Sequence, residues 1–307
     1  MSITYLTYKE IDKNKWDSCI ASAVNGLVYG RSFYLDAMAE KWDALVLNDY
    51  EAVMPLTRKN KWGIRYLYQP AFIQQSGIFF TKELNDAQVK SFLELALQKF
   101  KFAEITLNFS NNISLPADTI QIQQRNNFIL NLNKPYEEIY ENYDPSFTKS
   151  LRRIKKFEME YYESVNYERI IELYKNLYSK RLPFISGKNY SSLTRACKKL
   201  FVQNKIIVRL VRNNSSLLLA AVVLIKDNNR IYNIISCITK EGKKVEANYF
   251  LYDRIIHEFA NTPMLFDFEG SDVPGIATFY EKFNPENQTY PFVRWNNLSS
   301  FVKLFKR

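Results

Sequence analysis

Histidine is almost absent from this 307-residue chain, which has only His257. A Ser-His-Asp or Cys-His nucleophile needs an imidazole beside it, so a single histidine leaves little room for that chemistry. Cysteine is scarce as well. Cys19, Cys197 and Cys237 are an odd number, far apart and without C-x-x-C spacing, and they read as buried small hydrophobes. One histidine and no paired cysteines give a structural zinc ion no ligand set, so no metal is expected. Long apolar runs are missing too. The longest, 217–225, falls far short of the roughly 18 residues that a membrane-crossing helix needs. The opening MSITYLTYKEIDKNKWD carries charges where a secretory leader has its apolar stretch, so the cytoplasm is the expected compartment. Neither G-x-G-x-x-G nor G-x-x-x-x-G-K-S/T occurs, which removes the fingerprints of nucleotide-binding folds.

What is present is core material. Hydrophobic residues make up 47% of the chain and aromatics 15%, which excludes disorder for most of it. The length suits two domains of ordinary size. Lys and Arg outnumber Asp and Glu by 42 to 32, a net charge of +10 that favours anionic partners: nucleic acid, a phosphorylated cofactor or an anionic membrane surface. No reading helix or stacking motif accompanies that charge, which weakens the nucleic-acid reading.

Two stretches read alike when laid side by side. One runs WDALVLND, YEAVMPLTRKN and KWGIRYLYQPAFIQQSGIFF from Trp42, then TKELNDAQVKSFLELALQKF and KFAEITLNF. The other runs KIIVRLVRNN, SSLLLAAVVLIKDN and NRIYNIISCIT from Lys205, then KEGKKVEANYFLYDRIIHEFA and NTPMLFDFEG. Each opens with three β-rich runs broken by polar turns, the pattern of an antiparallel meander. A helix follows, striped by Val89, Phe92, Leu93, Ala96, Leu97 and Phe100 in one copy and by Ala247, Phe250, Leu251, Ile255 and Phe259 in the other. Each helix returns to a short strand. The order of elements repeats although identity is low. The expected fold is therefore α/β (α+β), with two domains that each hold a mostly antiparallel mixed sheet and flanking helices. Turn residues and few aliphatics near 130–150 set the expected domains at 1–135 and 136–307.

Five places could carry chemistry. The turn TKEGKKVEAN at 239–248 leads into a helix, whose free backbone N–H groups suit a phosphate. Gly242 allows close approach there, and Lys243 and Lys244 add charge, although a solvated basic turn has the same composition. In FDFEGS at 266–271, strand alternation puts Phe266 and Phe268 on one face and Asp267 and Glu269 on the other. Two carboxylates at a strand end raise each other's pKa, as a general base requires, while a solvent-facing edge strand alternates in the same way. PGIATFYEKF at 274–283 reads as a short helix on which Tyr280 either protonates a leaving group or packs. The basic run Lys149, Arg152, Arg153, Lys155 and Lys156 suits a phosphorylated substrate or a solvated helix face. In the first copy, Tyr68, Gln69, Gln74 and Gln75 bring polar groups into an aromatic strand pair, as substrate recognition does and as turns do.

Taken together, S-x-x-K-S-L-R-R, the meander, G-K-K-x-x-A-N opening a helix, F-D-F-E-G-S and A-T-F-Y-E-K-F resemble the GNAT-related acyltransferase domain of the FemAB type. The resemblance covers most of 146–291, and the first half is similar in element order. FemAB-like proteins carry two GNAT-like domains in tandem, the arrangement that the duplication suggests. The resemblance implies transfer of an acyl or aminoacyl group from acyl-CoA or aminoacyl-tRNA to an amine on a small molecule or peptide. Cofactor contacts then fall to Gly242, Lys243, Lys244, Ala247 and Asn248. Glu269 becomes the base and Tyr280 the acid, with Arg152, Asp267, Ser271, Tyr68, Gln69, Gln74 and Gln75 on the substrate side. The long helical hairpin thought to meet tRNA in cell-wall FemAB enzymes has no counterpart here, so acyl-CoA is the expected donor ahead of tRNA. The arginine-or-glutamine and double-glycine pattern of CoA loops is missing. The alternative is thus a tandem-GNAT binding protein that kept the fold and lost catalysis.

Overall fold

A computed structural model describes residues 2–113, 120–270 and 272–298. The chain divides into two compact units, Met1–Arg125 with Thr289–Arg307, and Asn126–Gln288. The division falls ten residues before the expected 135/136 boundary, and the last strand returns to the first unit.

The first unit contains β1 (Ile3–Leu6), α1 (Lys13–Ser22), α2 (Ser32–Met38), β2 (Lys41–Leu47), β3 (Ala52–Lys61), β4 (Ile64–Tyr68), β5 (Phe79–Phe80), α3 (Asp86–Lys99), β6 (Phe102–Thr106) and β7 (Gln121–Arg125). The second contains β8 (Phe128–Asn131), α4 (Tyr136–Glu141), α5 (Pro145–Ile154), β9 (Glu160–Ser164), α6 (Tyr167–Tyr178), α7 (Gly187–Val202), β10 (Ile206–Arg212), β11 (Leu218–Asp227), β12 (Arg230–Ile238), α8 (Lys240–Lys244), α9 (Ala247–Phe259), β13 (Leu265–Asp267), α10 (Pro274–Glu281) and β14 (Glu286–Asn287). β15 (Tyr290–Asn296) completes the first sheet.

Strand order in the first sheet is β1-β2-β3-β4-β6-β15-β7 with β5 beside β3, and in the second β14-β8-β13-β12-β11-β10-β9. Each sheet has one parallel pair among otherwise antiparallel neighbours, β4 with β6 and β12 with β13. This is the mixed sheet that the two meanders led us to expect. In both units the helix connecting the parallel strands covers one face of the sheet. α3 starts with a reciprocal Asn85–Gln88 capping box and buries Val89, Phe92, Leu93 and Ala96. α9 buries Ala247, Leu251, Ile255 and Ile256 on the same 3.6-residue period.

The shifted boundary has a packing cause. Phe128, Ile129 and Leu130 pair with β13 and are buried, so this segment extends the second sheet. β15 pairs with β6 and β7, and it buries Val293 and Trp295 in the first core. Trp295 Nε1 donates to the Phe100 carbonyl at 2.7 Å, so the indole is buried without leaving its N–H unsatisfied. Burying such a side chain contributes about 3 kcal/mol, enough to hold a strand far from its neighbours in sequence. No helix among the described residues is long and apolar enough to cross a membrane.

Candidate functional site

In the second unit, the pairing of β12 with β13 ends at Tyr232↔Asp267, yet β12 runs on to Ile238. Among the described residues, 233–238 therefore have no strand partner on the β13 side. Beyond Asp267 the chain turns off through two consecutive left-handed residues, Glu269 at φ 64° and Gly270 at φ 40°. A Cβ on Gly270 would lie 2.1 Å from the Asn126 carbonyl, so only glycine makes that turn. A left-handed glutamate has no such excuse. It stores roughly 1–3 kcal/mol of strain, a conformation that Glu158 and Glu246 of the same unit also adopt.

Asp267 shapes the turn. Its carboxylate is fully buried, takes a hydrogen bond from Arg230 Nη1 at 2.7 Å and accepts the Glu269 amide at 2.9 Å. Asn127 Nδ2 reaches the same carboxylate at 3.3 Å. The expectation that Asp267 meets substrate is therefore corrected. Its oxygens are committed to the protein, because a buried carboxylate survives only with a cation and hydrogen-bond donors around it. The strand itself stops at Asp267, so Asp267 and Glu269 do not share a strand face as alternation suggested.

Three hydroxyl and amide groups converge where the strands part. Asn233 on β12 is 5% exposed, and its Nδ2 donates to Tyr252 Oη at 2.6 Å and, more weakly, to Tyr280 Oη at 3.4 Å. Its Oδ1 is buried and has no hydrogen-bond partner. Tyr252 comes from α9 and Tyr280 from α10. Desolvation pushes the Tyr252 hydroxyl up to about 12, tempered by hydrogen bonds from Ser236, Tyr280 and Asn233. Tyr280 is raised well above its ordinary value by desolvation first, then by Tyr252 and by the charge of Glu269. That hydroxyl keeps its proton at any physiological pH. Desolvation alone pushes the Glu269 carboxyl up to about 8. The expected mutual effect of two carboxylates is not the cause, since Asp267 is paired with Arg230 instead. Glu269 and Tyr280 are thus close enough to interact, one a carboxyl poised near neutrality and the other a permanent proton donor.

The phosphate turn is built differently from expectation. Gly242 is buried, and a Cβ there would lie 2.0 Å from the Leu219 carbonyl, so the glycine serves packing against β11. Its N–H donates to Thr239 Oγ1 at 3.0 Å and the Lys243 N–H to the Thr239 carbonyl at 3.0 Å, closing the short helix α8. Lys243 and Lys244 are exposed, whereas the Ala247 side chain is buried. Asn248 lies in the first turn of α9. At the start of that helix Glu246 sits in a left-handed conformation, and its carboxylate bonds Arg153 of α5 at 2.5 Å. Arg152, next to it, is exposed. The Gly242, Lys243, Val245 and Glu246 amides are taken within the turn, and a carboxylate stands at the positive end of α9.

The four first-copy residues lie in the first unit and serve its own backbone. There the β4–β6 pairing ends at Tyr68↔Glu104, and residues 69–75 fill the space beyond it. Gln69 Oε1 accepts the Thr106 amide at 2.9 Å, Gln75 Oε1 accepts the Phe109 amide at 3.0 Å, and the Gln74 carbonyl accepts Thr106 Oγ1 at 2.7 Å. Tyr68 Oη accepts the Glu40 amide at 2.8 Å. In the second copy the matching stretch of β12 is met by side chains instead: the Ile238 N–H donates to the Tyr178 hydroxyl at 3.2 Å, and Asn233 meets Tyr252 and Tyr280. Ser271 lies outside the described residues. Sequence reasoning missed Asn233, Tyr252 and Arg230. A single Asn inside the apolar run RIYNIISCI was the available signal for the first. The cysteine thiols are buried, and desolvation raises all three, Cys19 to about 11 and Cys197 and Cys237 to about 12. Among the described residues no cluster of three His, Cys, Asp or Glu could hold a metal ion.

No family model matches the sequence, and no curated protein matches it. Solved structures do. FemX is similar over 100% of both chains, with a TM-score of 0.62 and 12% identity. L-PGS from Bacillus licheniformis is similar over 96% of this chain and 95% of its own, with a TM-score of 0.56 and 11% identity. A tandem GNAT protein from the clavulanic acid biosynthesis pathway is similar over 95% of this chain and 98% of its own, with a TM-score of 0.50 and 8% identity. The fold is FemAB-like, two GNAT-related domains in tandem.

Proposed function

We propose that this chain, with its FemAB-like fold, transfers an acyl or aminoacyl group to an amine in the opening between β12 and β13 of the second unit. The observation that carries this reading is Glu269, a strained, desolvated carboxyl beside the protonated Tyr280 hydroxyl. In this reading the donor's acyl end lies beside β12 at 233–236, past the last β13 pairing, since the Ile238 N–H is already taken by the Tyr178 hydroxyl. The acceptor amine attacks the acyl carbonyl, forming the C–N bond, while Glu269 removes a proton from the nitrogen. Collapse of the tetrahedral intermediate breaks the bond to the leaving oxygen or sulfur, and Tyr280 gives that atom its proton. The lone Asn233 Oδ1 acceptor suits a donor with an N–H at that depth, which an aminoacyl group has and an acetyl group lacks.

The crowded Gly242 turn supports an aminoacyl ester over CoA as donor, with the exposed lysines and Arg152 attracting its polyanionic carrier. The same turn is what favours the second reading, a binding protein without catalysis. Labelled aminoacyl-tRNA and labelled acetyl-CoA, each offered with a pool of primary amines and short peptides, separate the readings. Label should move from the tRNA ester to an amine and stop doing so in Glu269→Gln. If neither donor labels any amine while both proteins bind donor equally, the binding reading replaces this one.

A further inference from the structure

One concave feature of the Asn126–Gln288 unit is lined by neither Glu269 nor Tyr280. It is a cleft of about 490 Å³ between α4, the turn after α5 and the C-terminal half of α9, a size typical of small-molecule sites. Along α9 it is centred on Asp253, about 10 Å from the end that carries Glu246. Its chemistry is unlike that of the strand opening.

Asp253 is part-buried, and desolvation raises its carboxyl above the ordinary range despite a 2.7 Å hydrogen bond from the Tyr136 hydroxyl. One turn on, His257 shares its helix face and packs edge-on against the Tyr136 ring at 4.5 Å. Arg254 and Lys155 are cations on the same cleft, and Glu158 is its other anion. Arg254 and His257 act on Asp253 only as nearby charges, the Tyr143 hydroxyl joins that of Tyr136 in favouring its ionised form, and the Arg254 guanidinium lies over the Tyr161 ring at 5.9 Å. Leu151, Met159, Phe250 and Tyr140 supply an apolar wall.

A purely cationic ligand would satisfy Asp253 and meet Lys155 and Arg254 as like charges. A purely anionic one would do the reverse. A neutral apolar ligand would desolvate the Asp253 carboxylate further with only tyrosine hydroxyls to offset it, at a cost. Only a ligand bearing both charges close together answers both sets. We propose that this cleft binds a free α-amino acid, its ammonium on Asp253, its carboxylate on Arg254 and Lys155, and an apolar side chain against Phe250. The site is independent of the transfer reaction above, and it would stand if that reading fell.

His257 is the only histidine in the chain, so its imidazole resonances report this cleft without assignment of the whole protein. The full chain is titrated with L-phenylalanine, with 2-phenylethylamine, which lacks the carboxylate, and with 3-phenylpropanoate, which lacks the ammonium. Binding is followed by calorimetry and by the His257 signals. L-phenylalanine should bind at least about tenfold more tightly than either fragment, and Asp253→Asn and Arg254→Gln should each weaken it by about tenfold or more. Circular dichroism and thermal melting verify that each variant folds, and the fragment comparison needs no variant at all. Either fragment binding as well as the amino acid overturns the proposal. So does an unchanged affinity in a folded Asp253→Asn, or no His257 shift at about 10 mM L-phenylalanine.

Discussion

Replacing Glu269 by Gln tests whether burial has tuned this carboxyl, and the expected numbers follow from its surroundings. With a pKa of about 8, roughly a tenth of the carboxyl is ionised at pH 7 and nine-tenths at pH 9. A base in that state gives a single-turnover rate that rises about tenfold across the interval, and removing it lowers the rate by roughly 10²-fold and flattens the profile. The same shift has a thermodynamic signature that needs no substrate. The folded chain holds this proton more tightly than the unfolded chain, whose carboxyl titrates near 4.5. The resulting stabilisation is complete below 4.5, erodes as pH rises, and is gone once the folded carboxyl ionises near 8. Wild type and Glu269→Gln should therefore show their most favourable wild-type comparison in acid, with the wild type losing ground to the variant between pH 4.5 and pH 8. Carboxyl ¹³C titration of glutamate-labelled protein, in which the Glu269 resonance is identified by its loss from the variant, reads the pKa directly. A midpoint near 4.5, or a parallel pH dependence of melting in the two proteins, would refute the argument that desolvation sets this group.

Three further outcomes are expected. Asp267→Ala leaves Arg230 charged and buried without its partner, and should cost about 3–5 kcal/mol in urea unfolding, whereas replacing both residues with apolar ones should cost much less. Gly242→Ala drives a methyl into the Leu219 carbonyl and should destabilise by roughly 1–3 kcal/mol, while Lys243→Glu with Lys244→Glu should melt like wild type and weaken a polyanionic donor in a salt-dependent manner. In the first unit, burial alone would raise Asp43, but hydrogen bonds from Arg58, Tyr5 and the Tyr8 amide outweigh it and hold the carboxyl below its ordinary value. Stability from that network is present at neutral pH and lost as pH falls through the folded-state pKa, so the deficit of Asp43→Asn, on the order of 3 kcal/mol, should shrink in acid melts.

Local pattern was enough to read the two copies from the sequence. Three β-rich runs, a helix with apolar residues at three and four, and a return strand follow from side-chain periodicity, and they appear as β2–β4, α3 and β6, and as β10–β12, α9 and β13. That Glu269 and Tyr280 are candidates could be read locally, from a carboxylate at a strand end before Gly270 and a tyrosine on the next helix; that they lie within interaction range is a tertiary fact. Non-local contacts decided the rest. That β15 crosses back to the first sheet depends on its partners β6 and β7, about 190 and 170 residues away, which no window of sequence contains. Gly242 looked like a phosphate glycine, and only the Leu219 carbonyl packed against it makes it a structural one. Local pattern assigned Glu269 and Asp267 different roles but not their surroundings: tertiary structure pairs Asp267 with Arg230 and leaves Glu269 desolvated in a left-handed turn. Residue types set which chemistry was available. The environment, which exists only in the folded chain, set the charge state and role of each group.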